Sequence, residues 1–344
     1  MILRGASAVY GTIAGLRRRW YATGFGGART LHRPVVSVGN LRVGGSGKTP
    51  FVEHLVRLLV DGGERPVILS RGYGRSTRRP GVTVVSNTSH VIGELASSGD
   101  EPLMLARKLP GVPVLVADDR YAAGAAAEER FDVTVHVLDD GFQHLRLKRD
   151  VDLLLLSEAD LDDRPLPAGR LRERLTTAAA ADAVLVIGRE GDDTGARRVR
   201  EATGVETVFA VTRQLRPLEW VAGETGGRAP DGGSAFAVAA IARPDRFFQD
   251  ATAAGIRLAG TRTFRDHHQF TAGEMADVMA GARAAGADMI LMTEKDAVRL
   301  MNLDLPAFPI AVLPLALATD QAFIDWLTAR LNAAKRSGSP AMRA

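Results

Sequence analysis

The sequence has 344 residues, 46% of them apolar and 24% charged. That balance excludes intrinsic disorder, collagen-like repeats and a small cross-linked scaffold. It contains no cysteine, so disulfides, thiolate zinc sites and thiol nucleophiles are excluded as well.

Basic residues exceed acidic ones by 44 to 40, and only five are lysines, at 48, 108, 148, 295 and 335. The arginine excess reads either as a genome bias or as a preference for anionic partners, since guanidinium forks onto phosphate and carboxylate. Nucleic acid is not an expected partner: aromatics are 6%, and no basic stretch interleaves the stacking residues that single-strand binders use. No apolar run is long enough to predict a membrane-spanning helix.

Residues 1–21 form the first predicted element. Ile2, Ala6, Val9, Ile13, Leu16 and Trp20 recur every three or four positions, which lines one face of a helix. Glycines and Thr12 break the apolar stretch and no small-residue cleavage site follows, which argues against a secretory signal. One reading is a helix packed on the core. The preferred one is an interfacial helix, with the stripe in lipid, Trp20 and Tyr21 at the headgroups, and Arg17, Arg18 and Arg19 on anionic lipid. A membrane surface is then an expected partner.

Short apolar runs at 35–38, 67–69, 114–116, 133–138, 153–156 and 184–187 predict buried strands, with helical patterns at 50–59, 101–109 and 122–130. The alternation predicts an α/β fold of P-loop NTPase type over 22–213, a mostly parallel sheet with helices on both faces. Residues 214–234 are glycine-rich, with Pro217 and Pro230, and read as a linker with a candidate hairpin around 223–227. Runs at 236–239, 261–264, 289–292 and 310–313 predict a smaller second α/β domain over 235–344, frayed from 333.

The first predicted strand runs into Gly39-Asn-Leu-Arg-Val-Gly44-Gly45-Ser46-Gly47-Lys48-Thr49. Glycines here let backbone N–H groups converge on phosphate at a helix N-terminus. Gly44, Gly45, Ser46 and Gly47 form the expected cradle, Lys48 reaches the β- and γ-phosphates, and the Thr49 hydroxyl holds Mg²⁺. The strict motif has glycine where this chain has Arg42. Such a loop needs an acidic group at another strand end. Asp139, with Asp140 next, ends the apolar alternation of 131–138, although paired carboxylates also suit a helix cap. No lysine fits the guanine-reading [NT]-K-x-D pattern: Lys148 precedes Arg149-Asp150, and Lys295 follows Glu294. ATP is therefore the expected nucleotide. Asp100, in Ser97-Ser-Gly-Asp-Glu-Pro102, reads by itself as a helix N-cap.

The strings Ser37-Val-Gly-Asn-Leu, Gly44-Gly-Ser-Gly-Lys-Thr-Pro, Leu69-Ser-Arg-Gly-Tyr-Gly74, Gly99-Asp-Glu-Pro102, Leu138-Asp-Asp-Gly-Phe-Gln-His144, Gly169-Arg-Leu-Arg-Glu173, Asp266-His-His268 and Thr293-Glu-Lys-Asp296 occur in this order. Together they resemble the tetraacyldisaccharide 4′-kinases, the lipid A 4′-kinases of Gram-negative bacteria. Only the phosphate loop is strong alone; jointly the strings are specific and span nearly the whole chain. At Ala240-Ile-Ala-Arg-Pro244 the chain departs from the family, which commonly has glycine first and asparagine before the proline.

The resemblance implies phosphorylation of the 4′-hydroxyl of a tetraacyldisaccharide 1-phosphate lipid A precursor with MgATP, at the cytoplasmic face of the inner membrane. It implies that Asp100 is the general base, assisted by a histidine that maps to His267, with His268 left open. A carboxylate–imidazole pair suits proton removal because each partner orients the other. Asp100 and His267 belong to different predicted domains, which puts the site in the cleft between them. Arg172 matches the family's Leu-Arg-Glu and is the first choice for transition-state charge. Arg71, Tyr73, Gln143, His144, Arg170 and Glu173 are the substrate candidates, although a solvated arginine is the plain alternative for each guanidinium. A nucleotide-switch or metal-insertion ATPase is the rival reading. It would keep the loop and Asp139 but would not need Asp100 or His267. Nothing in the sequence calls for an obligate protein partner.

Overall fold

The computed structural model describes residues 2–45, 47–78, 80–188, 194–222, 233–301, 303–305 and 308–338. Its strands in chain order are β1 (Val35–Asn40), β2 (Pro66–Ser70), β3 (Thr83–Ser86), β4 (Val114–Val116), β5 (Val135–Asp139), β6 (Val151–Leu156), β7 (Ala183–Gly188), β8 (Val208–Leu215), β9 (Glu219–Ala222), β10 (Ser234–Ala239), β11 (Arg257–Thr263), β12 (Met289–Met292), β13 (Ile310–Val312) and β14 (Leu315–Thr319). They make a nine-stranded sheet, β14-β8-β7-β6-β1-β5-β2-β4-β3, and a five-stranded sheet, β11-β10-β12-β13-β9. The class is α/β, as the alternation predicts.

In the large sheet every pairing from β8 to β4 is parallel, and only the edge strands β14 and β3 run antiparallel. β1 lies at the centre between β5 and β6. Ligands in open parallel sheets gather at the strands' carboxyl ends, where the order reverses. The loop after β1 and the carboxylates after β5 share that place, because Val38 pairs with Asp139.

Helices cover both faces. Lys48–Asp61 turns Phe51, Val52, Leu55, Val56 and Leu59 inward, a three-and-four spacing that makes one apolar stripe. Those side chains pack with Val36 and Val38 of β1, with Leu105 of the helix Asp100–Lys108 and with Phe323 of the helix Gln321–Gly338. Alternate strand residues, such as Val35, Leu69 and Leu138, meet the helix Arg120–Arg130 on the opposite face. Burying each such side chain is worth about 1.5–3 kcal/mol, so the central strand is held rigidly where the site begins. Gly39 near its end is required by close approach: a Cβ there would lie 2.4 Å from Phe142 Cβ and 2.8 Å from its backbone nitrogen.

Two expectations change. Residues 314–338 do not complete the second unit: β14 pairs with β8 of the large sheet, and Phe323, Leu327 and Leu331 join its core. The chain thus leaves the first sheet after β8, builds the second, and returns. Residues 219–222, expected in a linker, pair antiparallel with β13; the hairpin around 223–227 lies outside the described residues. The missed strands β8 and β14 are half-exposed along most of their length, and β3 along half of it, so they lack the apolar runs that marked the others.

The N-terminal helix, Ile2–Ala22, lies on the first unit by its small and polar face. Ser7 Oγ donates to Pro165 O at 2.6 Å, and Arg174 Nη2 donates to Thr12 Oγ1 at 2.8 Å. Arg18 donates to both oxygens of Glu173 at 3.0 and 3.1 Å and to Phe142 O at 2.9 Å. The apolar side chains point outward: Val9, Ile13, Leu16 and Trp20 are each more than half exposed. Among the described residues no helix is long and apolar enough to cross a membrane.

Candidate active site

After β1, Gly44, Gly45 and Gly47 take positive φ of 76°, 35° and 77°, the left-handed region that glycine enters without strain. Gly47 precedes Lys48, the first residue of the helix. Ser46 lies outside the described residues. Arg42, standing where the strict motif has glycine, turns its guanidinium away onto Asp160 at 3.0 Å and Asp163 at 3.6 Å. The loop's first half is tied down by backbone bonding, Val43 N donating to Arg170 O at 2.9 Å. Thr49 is buried at the start of the helix.

The two carboxylates after β5 part company. Asp139 accepts from Ser70 Oγ at 3.0 Å through Oδ2, while its buried Oδ1 has no partner among the described residues. Burial, then the charges of Glu101 and Asp140, push its carboxyl up to about 7. Asp140, with φ of 55°, instead carries cations. Arg172 Nη1 donates to its two oxygens at 2.9 and 2.8 Å, and Lys48 Nζ lies 3.4 Å away. Against burial, those two charges hold Asp140 below the usual carboxylate range. Lys48 also donates to Asn40 Oδ1 at 3.0 Å.

Asp100 is buried at the start of its helix. Gly99, not Asp100, takes the N-cap position expected of Asp100; Asp100 Oδ1 accepts from Glu101 N at 2.9 Å, and Oδ2 accepts from His267 Nδ1 at 2.9 Å and Arg299 Nε at 3.1 Å, with Arg299 Nη2 alongside. Burial opposes ionisation, but the His267 hydrogen bond and the charges of Lys295 and Arg299 outweigh it and hold the carboxyl well below the ordinary value. An ionised carboxylate only accepts, so Nδ1 carries the proton and Nε2 is the acceptor. Lys295 Nζ donates to that Nε2 at 3.3 Å and to Glu101 Oε1 at 3.0 Å. His267 itself has φ of 60°, a conformation uncommon outside glycine, and Tyr73 packs edge-on against its ring at 5.0 Å. His268 is turned elsewhere, onto Glu274 at 3.0 Å.

One cleft runs from the phosphate loop to the neighbours of the Asp100–His267 pair. It is lined by Gly45, Gly47, Lys48 and Thr49, by Glu101 and Lys295, and by the turn at 241–243 after β10.

The remaining candidates are distributed differently. Gln143 bridges, accepting from Arg172 at 3.2 Å and donating to Asn40 O at 3.0 Å. His144 keeps a buried Nε2 without a partner among the described residues, and burial and the Arg120 charge lower it to about 4, which leaves it neutral at pH 7. Arg71 and Arg170 are exposed and are not among the residues that line the cleft. Glu173, expected to meet substrate, is buried against Arg18, and Arg18, expected on lipid, is drawn inward by it; the pair clamps the N-terminal helix.

Sequence reasoning missed Lys295, Arg299 and Arg120. The first stood in the string Thr293-Glu-Lys-Asp296 and was weighed as a guanine-reading motif, but was given no role at the site. Arg299 follows Asp296 by three residues and binds it at 2.8 Å, a helical spacing legible once 294–300 is taken as helix. Arg120 is buried near Asp139 and Asp140, after the pair Asp118-Asp119 at the end of β4.

Strand, glycine turn, lysine and helix at the centre of a parallel sheet define a P-loop α/β protein. Comparison with known proteins narrows the class. Residues 1–332 match the family described as Tetraacyldisaccharide-1-P 4′-kinase. A tetraacyldisaccharide 4′-kinase from Geobacter metallireducens is 41% identical over 310 residues, covering 87% of this chain and 88% of the relative. One from Desulfatibacillum aliphaticivorans is 34% identical over 345 residues, covering 96% and 92%. The crystal structure of the "apo" form of LpxK from Aquifex aeolicus in complex with ATP is 32% identical, covers 95% of this chain and 98% of that one, and superposes with a TM-score of 0.74. The chain belongs to the tetraacyldisaccharide-1-P 4′-kinase family, and it is a kinase.

Proposed function

We propose that the protein transfers the γ-phosphoryl group of ATP to the 4′-hydroxyl of a tetraacyldisaccharide 1-phosphate, a lipid A precursor. The observation that carries this reading is that the phosphate loop and the surroundings of the Asp100–His267 pair open on one cleft. An ATPase that only switches would leave that pair idle.

Lys48 steadies the transferring phosphates, leaving Asp140 as they arrive. Arg172, held beside it by Asp140 and Gln143, meets the charge that develops in transfer. Asp100 is occupied by four donors and held ionised, so it fixes the imidazole, and His267 Nε2 takes the hydroxyl proton as Lys295 moves aside. The two act as one unit.

The donor set fits Mg²⁺. A buried carboxylate oxygen without a donor among the described residues, on Asp139, asks for a cation or a proton, and Thr49 stands at the start of the helix that follows the phosphate loop. Magnesium keeps several waters and needs one or two carboxylates besides the phosphates. When bound, the ion supplies charge neutralisation at the phosphates.

The outward stripe of the N-terminal helix supports action at a membrane surface, which for an ATP-dependent enzyme is the cytoplasmic face of the inner membrane. Exposed apolar side chains beside Arg17 and Arg19 suit peripheral, salt-sensitive attachment. Incubation with labelled ATP and detergent-dispersed disaccharide 1-phosphate tests the reading: label passes to the lipid if it holds, and appears only as free phosphate if the chain is a switch ATPase.

A further inference from the structure

Arg243 stands where the second sheet meets the phosphate loop. β10 ends at Ala239, the chain turns through 240–243, and Pro244 opens the helix Pro244–Ala253. That turn rests on the loop itself. A Cβ at Gly44 would meet Ala242 Cβ at 3.2 Å, and one at Gly45 would meet Arg243 Cγ at 3.4 Å and Cδ at 3.6 Å. Arg243 lines the cleft with Gly47, Lys48 and Thr49.

Its charge is unanswered. Among the described residues no hydrogen bond or ion pair holds its guanidinium. The charged groups that face it are Arg42, Asp160 and Arg170, with Arg246 one turn along the same helix. The single acid in that set, Asp160, is already bound by Arg42 at 3.0 Å. Arginine stays protonated in proteins, so a half-buried guanidinium among like charges is unfavourable until an anion reaches it. The surroundings are built for one.

We propose that Arg243 is an anion-binding residue of the nucleotide site, reaching from the second sheet across the phosphate loop to the phosphate chain of ATP. This rests on the phosphate-loop reading above. The lipid's own phosphate offers the same chemistry, but contact with Gly45 favours the nucleotide. The same turn joins the two halves of the site, since Ala240 O accepts from Arg299 at 3.1 Å and Arg299 grips Asp100.

The test is equilibrium binding of ATP to the full-length protein without lipid, with Arg243→Ala, Arg243→Lys and Lys48→Ala, alongside the KM for lipid at saturating ATP. Arg243→Ala should raise the Kd for ATP at least about tenfold, the share of a charge-assisted contact. Lysine should recover part of it, the lipid KM should move less than about twofold, and the melt should be unchanged because no hydrogen bond or ion pair among the described residues holds the side chain. An unaltered ATP Kd overturns the proposal: with a raised lipid KM the anion is the lipid phosphate, and with both unaltered the side chain is simply solvated. Lys48→Ala that retains ATP binding and turnover would instead overturn the phosphate-loop reading.

Discussion

Arg299 and Asp100, 199 residues apart in sequence, form an ion pair sealed from solvent between the two sheets. The guanidinium also binds Asp296 at 2.8 Å and Ala240 O at 3.1 Å. The carboxylate that orients the imidazole is thereby fastened to the unit that carries the imidazole.

Breaking a buried pair by removing one partner typically costs 3–5 kcal/mol, because the other charge is left unanswered. Arg299→Ala should therefore lower the melting temperature clearly and reduce kcat, whereas Arg299→Lys should keep more of both. A melt and a kcat both indistinguishable from the parent would remove this pair from the account.

If Asp100 and His267 act as one unit, Asp100→Ala and His267→Ala should each lower kcat by roughly 10²–10⁴, and the double variant should lose little more than the worse single. His268→Ala, bound to Glu274 away from the pair, should be near parental. Multiplicative losses in the double variant would separate the two roles.

Acid stability follows from the sign of the Asp100 shift. Its carboxyl titrates well below the ordinary 3.8 in the folded protein, so the unfolded chain binds the proton more readily. The stabilisation is complete above about pH 4 and is lost as pH falls towards the folded value. Asp100→Asn should flatten the loss of melting temperature below pH 4; a parallel acid limb in the variant would contradict this.

The N-terminal helix yields a prediction that separates its two faces. Serine at Val9, Ile13, Leu16 and Trp20 together should release the protein from anionic vesicles with little change in melt, since these side chains are exposed. Arg18→Ala should instead destabilise the protein, because it strips Glu173 of its partner. Loss of the cooperative melt in the serine variant would mean that the stripe packs on the core.

How much of this was legible in the sequence varied with burial and spacing. The central strands and the phosphate loop showed plainly, because strands covered on both faces read as continuous apolar runs and glycine marks positive φ. The return of residues 314–338 to the first sheet did not, since β14 is a short half-exposed edge whose partner, β8, carries Arg213 and Gln214. Asp139 and Asp140 looked alike as neighbours; only the fold separates them, by aiming one at Ser70 and the other at Arg172 and Lys48. Arg18 was read with Arg17 and Arg19 as a single headgroup triplet, yet successive helix positions point about 100° apart and one of the three faces inward. Glu173 was misread for the complementary reason.

The most direct test is single-turnover transfer of γ-labelled phosphate to tetraacyldisaccharide 1-phosphate, comparing the parent with His267→Ala and measuring free phosphate in parallel. The parent should place the label on the lipid 4′-oxygen, and the variant should lose transfer by roughly 10²–10⁴ while still binding ATP. Label released only as inorganic phosphate by the parent, or transfer undiminished in the variant, would contradict the account.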